Sequence, residues 1–182
     1  NGLVHLPLIL PPVVIGYLLL LLLGRRGPLG GWLFEVFDIT VAFTWKGAAV
    51  ASAVMAFPLM VRAIALSLEA VDRKLEQAAR TLGAGPVRVF LTITLPLTTP
   101  GIITGLILAF ARSLGEFGAT ITFVSNIPGQ TRTLPLALFS LTQTPGGDAG
   151  AWRLVVISVV LAMAALMASE LLARRVSSGM GR

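Results

Sequence analysis

The sequence predicts an all-α membrane protein with four transmembrane helices and one short polar helix between the second and the third. Its 182 residues are 55% hydrophobic and only 12% charged, and the mean hydropathy is +0.89. Soluble domains carry charge on about a quarter of their residues, so this composition excludes an ordinary soluble chain. Each of the apolar stretches is close to the ~20 residues that a helix needs to cross a bilayer; they lie near residues 6–23, 47–68, 101–120 and 154–172.

The first predicted span, residues 6–23, is an uninterrupted run of uncharged and mostly apolar residues. Pro11 and Pro12 are expected to kink it or to break its first turn. A cleaved signal peptide is the alternative, but this run lacks a basic leader and a small-residue cleavage site. His5, at the edge of the span, is expected to be solvated rather than a ligand or a base. The chain begins at Asn1 and not at Met, so we expect a further transmembrane helix before it.

Residues 24–46 are predicted to form a loop with a short amphipathic segment, WLFEVF, whose aromatic side chains suit the membrane interface. Residues 47–68 are the second span, interrupted by Pro58. Residues 125–153 are rich in Gly, Pro and Thr and are predicted to be an outer segment. The last span, residues 154–172, is closed by two arginines that directly follow it.

The third span lies within residues 91–124, which would form a helix of about 50 Å at ~1.5 Å per residue. That length is too great for one perpendicular span. We therefore expect Pro96 and Pro100 to break it, so that the spanning helix begins near Gly101. The GIITG segment, from Gly101 to Gly105, offers a small-residue face for close helix contact.

A polar island, EQAARTLGAGPVRVFLTITLP, separates the second span from the third. Asp72 is expected to cap a short helix there, Gly83 to end it in the left-handed conformation, and Pro86 to begin a second helix. Glu76 and Arg80 are spaced to pair at i, i+4. A helix this short is unstable alone in water, so its apolar stripe should dock on a partner surface. The stripe residues recur at i, i+3, i+4 and i+7, and they are Leu75, Ala78, Ala79 and Leu82.

This island resembles the cytoplasmic loop signature of binding-protein-dependent ABC importer permeases, which is E-A-A, three residues, Gly, about nine residues, then a hydrophobic residue with Leu-Pro. Counting back from Gly83, the glutamate position of the signature is Gln77, and Glu76 precedes it. Either residue could take the acidic residue's part. The segments 5–30 and 110–135 are similar to permeases for tetrahedral oxyanions, most of all to those for molybdate. Sulfate/thiosulfate permeases, which share LGEFG, and tungstate permeases are the near alternatives.

The resemblance implies a type I ABC importer permease domain over residues 1–182, with a cytoplasmic coupling loop at residues 69–96. It also implies a homodimer in the cell inner membrane, a separate cytoplasmic ABC ATPase and a periplasmic molybdate-binding protein. Basic residues are somewhat more frequent in the central loop and the C-terminal tail than in the other loops, in agreement with that orientation. The residues implied in ATPase coupling are Leu75, Glu76, Gln77, Ala78, Ala79, Arg80, Leu82 and Gly83.

Arg112 and Glu116 lie four residues apart, inside or at the end of the third predicted span. A charge at membrane depth costs roughly 2.5 to 3.5 kcal/mol, so the two are expected to pair, to face a cavity or to lie at the boundary. A structural ion pair and a role in the substrate path both stay open. In the path hypothesis a cation and hydroxyls attract a dianion, glycines let the backbone approach, and Glu116 holds Arg112. The path residues are Arg112, Ser113, Gly115, Glu116, Gly118, Thr120 and Thr122.

The sequence lacks the motifs of the common enzyme classes. It has no GxxxxGK[ST] phosphate loop, no GxGxxG after a strand, no HExxH and no cysteine. We therefore expect a transport subunit without a cofactor or a metal site, and any ATP is expected to bind another chain. The basic residues that give a net charge of +6 are scattered between apolar spans, which does not indicate nucleic-acid binding. A passive anion channel is the alternative of a different class, although a channel needs no docking helix.

Overall fold

The computed structural model describes the backbone of residues 2–180 and the side chains of residues 4–168 and of Leu171. Its regular elements are helical, and no strand occurs in that part of the chain. One π-helical segment, Phe90–Thr94, joins two of the helices without a break. The α-helices are α1 Gly2–Ile9, α2 Pro12–Leu23, α3 Pro28–Phe37, α4 Trp45–Glu69, α5 Arg73–Thr81, α6 Pro86–Val89, α7 Leu95–Leu114, α8 Gly118–Val124, α9 Leu134–Thr142 and α10 Asp148–Met180.

Among the described residues, three continuous helices are long and apolar enough to cross a membrane: Trp45–Glu69, Pro86–Leu114 and Asp148–Ala168. The pair α2 and α3, bent by 45° at a short break, makes a fourth candidate if the pair counts as one span. The predictions of apolar helices over residues 47–68 and 154–172 are confirmed. The predicted all-α membrane architecture is confirmed with them.

The first predicted span differs from the observed helices. Residues 6–23 do not form one helix, because α1 ends at Ile9 and α2 begins at Pro12. Pro11 has the extended backbone angles φ −55° and ψ 136°. A residue that precedes a proline is pushed out of the helical region by the proline ring, and here Pro11 precedes Pro12. The chain then bends again after Leu23, where α3 replaces much of the predicted loop.

The third predicted span is also corrected. Pro96 and Pro100 do not break the helix, which runs from Pro86 to Leu114. The π-helical segment just before Pro96 widens the turn, and the Leu95 N–H bonds to the Phe90 carbonyl five residues back. A wider turn relieves the crowding that a proline ring causes with the preceding turn. The interruption falls instead at residues 115–117, between α7 and α8, so the predicted helix over residues 101–120 is wrong at its end.

The described chain forms two compact units. The first holds α1–α3, α4 as far as Pro58, and Phe110–Ala164; the second holds Leu59–Ala109 and α10 from Ala165 onward. In the first unit α2 packs closely on α8. A Cβ atom added at Gly16 would lie only 2.5 Å from the Ala119 carbonyl oxygen. The buried core of this unit consists of Ile15, Val41, Ala42, Ala51, Met55, Ala119, Phe123 and Val124.

In the second unit the GIITG segment of α7 lies against α4. A Cβ atom on Gly101 would lie 2.1 Å from the Ser67 Cβ, and one on Gly105 would lie 3.1 Å from the Met60 carbonyl oxygen. No side chain fits at Gly101 without a shift of α4. The predicted role of this small-residue face in close helix contact is confirmed.

Candidate functional site

The polar island folds as a helix, a sharp turn and a second helix, as predicted. The Asp72 carboxylate accepts a hydrogen bond from the Lys74 N–H at 2.9 Å and caps α5. Gly83 has φ +83°. The Gly83 N–H donates to the Arg80 carbonyl at 3.0 Å, and the Ala84 N–H donates to the Ala79 carbonyl at 3.1 Å. These two bonds form a Schellman motif, which satisfies the last carbonyls of a helix and requires a left-handed residue at the Gly83 position.

The apolar stripe of α5 is largely uncovered by the described residues. Leu82 is 88% exposed and Leu75 is 48% exposed, while Ala78 is exposed and Ala79 is half-buried. Burial of apolar surface is worth about 25 cal/mol per Å², so exposed leucines on a short helix favour a partner that covers them. The stripe therefore has the chemistry of a docking surface.

Glu76 points back into its own chain. Its Oε1 accepts a hydrogen bond of 2.6 Å from the Thr94 hydroxyl, and Thr94 is only 9% exposed. The predicted pair between Glu76 and Arg80 is absent from the described residues, where Arg80 is exposed. An exposed pair of this kind is worth about 0.3–0.5 kcal/mol, which is less than a partly buried, charge-assisted hydrogen bond. Gln77, next to Glu76, is exposed.

A second polar site lies at the corner between α7 and α8. Arg112 Nη1 lies 2.9 Å from Glu116 Oε2, as the i, i+4 spacing predicted. This contact is an ion pair, and Oε2 has no hydrogen-bond partner among the described residues. Glu116 Oε1 accepts a hydrogen bond of 2.9 Å from the Ala119 N–H in the first turn of α8. One carboxylate therefore bonds on both sides of the interruption, with its side chain 1% exposed against 30% for Arg112.

The other predicted path residues have different surroundings. Thr122 donates to the Gly118 carbonyl of its own helix at 2.9 Å. Gly118 lies against α2. A Cβ atom added at Gly118 would lie 2.7 Å from the Pro12 Cβ. Thr120 is fully buried, and its hydroxyl has no hydrogen-bond partner among the described residues. Gly115 has open space around the position of a Cβ. The Ser113 hydroxyl lies 3.5 Å from the Ser52 carbonyl on α4.

Thr94 is the residue at these sites that the sequence analysis missed. It lies within the TITLP segment, and no local spacing connects it to Glu76. The available signal was the row of threonines before and after Pro96, since hydroxyls are rare inside an apolar run unless they find partners. Within the described residues, no three His, Cys, Asp or Glu side chains lie close enough together to hold a metal ion.

Comparison with known proteins identifies the class to which this fold and loop belong. The family model described as "Binding-protein-dependent transport system inner membrane component" matches residues 1–178. The chain belongs to that family of membrane permeases. The methionine ABC transporter MetNI in an inward-facing conformation aligns with a TM-score of 0.69, 15% identity, 96% coverage of this chain and 73% of its own. At that identity the likeness shows the fold alone, which is that of a type I ABC importer permease.

The particular relatives are permeases for molybdenum. The chain is 69% identical over 174 residues to the molybdenum transport system permease protein ModB of Escherichia coli strain K12, covering 96% of this chain and 76% of that relative. It is 58% identical over 182 residues to the ModB protein of Haemophilus influenzae, covering 100% and 80% of the two chains. The predicted resemblance to molybdate permeases within the ABC importer family is confirmed.

Proposed function

We propose that this chain is the membrane-spanning subunit of an ATP-driven importer for molybdate. It takes the oxyanion from a periplasmic binding protein and releases it to the cytoplasm, and two copies pair in the inner membrane. The observation that carries this proposal is the 69% identity to a molybdenum permease over 96% of the chain. Nearly the whole length is covered, so spans, loop and corner are all included in the likeness.

The coupling loop, residues 69–96, is the proposed docking site of a separate ATPase subunit. Leu75 of α5 and the C-cap residue Leu82, both exposed, enter an apolar groove on that subunit together with Ala78. The left-handed turn at Gly83 fixes the angle at which the helix is presented. Because the sequence has no phosphate loop, ATP hydrolysis belongs to the ATPase chain.

The corner between α7 and α8 is the proposed contact with the anion. The Arg112 side chain is 30% exposed and that of Glu116 is 1% exposed, so a dianion can approach the arginine more easily than the carboxylate. Partial neutralisation by Glu116 weakens the attraction, which allows release. The Thr120 hydroxyl is a donor without a partner in the described chain, and Ser113 and Thr122 add hydroxyls nearby in sequence. Gly115 lies in the interruption and Gly118 directly follows it, and the two glycines supply the backbone freedom.

The test is reconstitution in proteoliposomes with the ATPase and the molybdate-binding protein that are proposed as its partners. Radiolabelled molybdate uptake is expected to need ATP and the binding protein, and excess sulfate is expected to compete weakly. Uptake that runs down a gradient without ATP would instead indicate a passive channel. Strong competition by sulfate would assign the importer to sulfate, and uptake of tungstate in clear preference to molybdate would assign it to tungstate. Liposomes with the ATPase but without this chain are the control.

A further inference from the structure

The Glu76 carboxylate connects the coupling helix to a membrane span of the same chain. Glu76 lies in α5, and Thr94 is the last residue of the π-helical segment within the Pro86–Leu114 helix. The bond between Thr94 Oγ1 and Glu76 Oε1 is 2.6 Å long, which is typical of a hydroxyl bound to a charged acceptor. Such bonds are roughly twice as strong as neutral ones, and this one lies where solvent has little access.

The polar line continues beyond Thr94. The Thr98 hydroxyl donates to the Thr94 carbonyl at 2.9 Å, and Thr98 is almost fully buried. The Ser67 hydroxyl of α4 then lies 3.5 Å from the Thr98 carbonyl, and Ser67 also packs directly on Gly101. A continuous set of contacts therefore runs from α5 through the Pro86–Leu114 helix to the end of α4. Chains of packed side chains and hydrogen bonds are one physical route for energetic coupling between sites.

The location of Thr94 strengthens this interpretation. π-helical turns are rare, and they occur frequently at functional sites. Gln77 is exposed beside Glu76, so the two candidates for the acidic position of the loop signature have different environments. A carboxylate oxygen already bonded to a buried hydroxyl is poorly available to another subunit. The exposed Gln77 side chain makes no hydrogen bond in the part of the chain that the structure describes.

We propose that Glu76 is a positioning residue that ties the coupling helix to the Pro86–Leu114 span through Thr94, and that Gln77 is the side chain that faces the ATPase. The inference rests on the proposed function, because α5 has to be the element that the ATPase moves. Displacement of α5 is then transmitted to the span instead of being absorbed by the loop. Loss of the bond uncouples the two helices without removing the docking surface.

The test uses the reconstituted importer with its ATPase and binding protein, and it compares Thr94→Val with Thr92→Val. Thr92 lies in the same π-helical segment, but it is exposed, and within the described residues its hydroxyl bonds to the Arg88 carbonyl alone. Thr94→Val is expected to leave ATPase binding within about twofold while the molybdate imported per ATP hydrolysed falls about tenfold, in line with the loss of one hydrogen bond to a charged group. Glu76→Ala should lower the molybdate imported per ATP to a similar extent. The double variant of Glu76→Ala and Thr94→Val should import no less per ATP than either single variant. Thr94→Ser, which keeps the hydroxyl, and Thr92→Val should resemble the original protein.

Three outcomes would overturn the inference. If Thr94→Val and Thr92→Val import the same amount of molybdate per ATP, the bond between Thr94 and Glu76 transmits nothing. If Glu76→Ala mainly weakens ATPase binding and Thr94→Val does not, Glu76 is a docking residue. Failure of the original protein to couple ATP hydrolysis to uptake would remove the proposed function and this inference with it. Should Thr94→Val fail to assemble, Glu76→Gln keeps an acceptor oxygen, and it should retain more import per ATP than Glu76→Ala.

A chemical probe checks the second half of the proposal. The chain has no cysteine, so Gln77→Cys gives a single labelling site. Maleimide should label the Gln77→Cys variant of the isolated permease. A saturating concentration of the ATPase should reduce the labelling rate at least tenfold. Unchanged labelling in the assembled complex would show that position 77 does not face the ATPase. Gln130→Cys, on an exposed loop far away in sequence, is the control that should label equally in both states.

Discussion

At the scale of single residues, Glu116 is a buried charge that contacts both helices at the corner. Its carboxylate is almost completely buried and bonds to Arg112 on one helix and to the Ala119 N–H on the next. A buried charge is tolerated only while its partners are present, and loss of one partner typically costs about 3–5 kcal/mol. The corner between α7 and α8 therefore depends on the pair as a unit.

Arg112→Ala should destabilise the protein much more than Glu116→Gln. The first leaves a buried carboxylate unpaired, whereas the second keeps an oxygen that accepts from the Ala119 N–H. Thermal unfolding of the purified permease in detergent measures the difference, with Arg132→Ala as an exposed-cation control. Equal melting temperatures for Arg112→Ala and Arg132→Ala would contradict this role.

Under the proposed function, Glu116→Gln should assemble normally and reduce molybdate uptake more than ATPase binding.

Gly83→Val should impair coupling, because a β-branched residue at φ +83° carries strain of about 1–3 kcal/mol. Gly85→Val is the matched control: Gly85 has φ −68°, and nothing lies within 4 Å of its Cβ position. The measurement is ATP-driven molybdate uptake by the reconstituted complex. We expect a several-fold loss for the first variant and less than a twofold change for the second. If both variants take up molybdate at the rate of the original protein, the turn at Gly83 plays no part in coupling.

Residue-level predictions from the sequence succeed where the cause is local. The cap at Asp72 and the left-handed Gly83 follow from backbone demands at helix ends, which adjacent residues determine. The Arg112 and Glu116 pair likewise follows from i, i+4 spacing. The partner of Glu76 could not be predicted, because Thr94 is brought to it by the packing of α5 on the following helix, and spacing predicted Arg80 instead.

At the scale of elements, the helix Pro86–Leu114 shows why prolines were a poor guide to its ends. The π-helical turn accommodates Pro96, and the hydroxyls of Thr98 and Thr99 donate to the Leu95 carbonyl one turn before Pro100. At residues 115–117 no proline occurs, and the helix ends where the buried carboxylate holds the corner.

The contact between α4 and α7 can be tested at Gly101. Gly101→Ala should lower the melting temperature, since its Cβ would lie 2.1 Å from the Ser67 Cβ and overpacking costs about 1–3 kcal/mol. Adding Ser67→Gly should restore part of the loss because it removes the clashing atom. Adding Ser67→Ala should not, because the Cβ remains. Rescue by both changes, or by neither, would show that another contact limits this site.

At the scale of the whole molecule, long apolar runs gave the membrane class directly, and two of the predicted spans coincide with observed helices. The N-terminal region was harder, because its apolar residues continue through a proline pair and across the turn after Leu23. Hydropathy does not detect a bend between two apolar helices, whereas backbone restrictions at Pro11 produce one. Family membership was predictable because the loop signature has a fixed spacing over many residues.

The orientation of the chain gives a prediction at this scale. With the coupling loop cytoplasmic, Gln77→Cys should react with a membrane-impermeant maleimide only after cells are opened. Gln130→Cys, in the opposite predicted compartment, should react in intact spheroplasts. The positive-inside bias supports this arrangement, although its margin is small. The reverse labelling pattern would invert the topology and exclude α5 as the docking element.

The π-helical segment Phe90–Thr94 has a consequence for rotation. A π turn contains about one residue more than an α turn, and one residue of an α-helix corresponds to about 100° around its axis. Conversion of this segment to α-helix would therefore turn α6 by about that angle relative to α7 without breaking the chain. The hydrogen bond between Thr94 and Glu76 therefore attaches α5 at the point in the helix where such a rotation would occur.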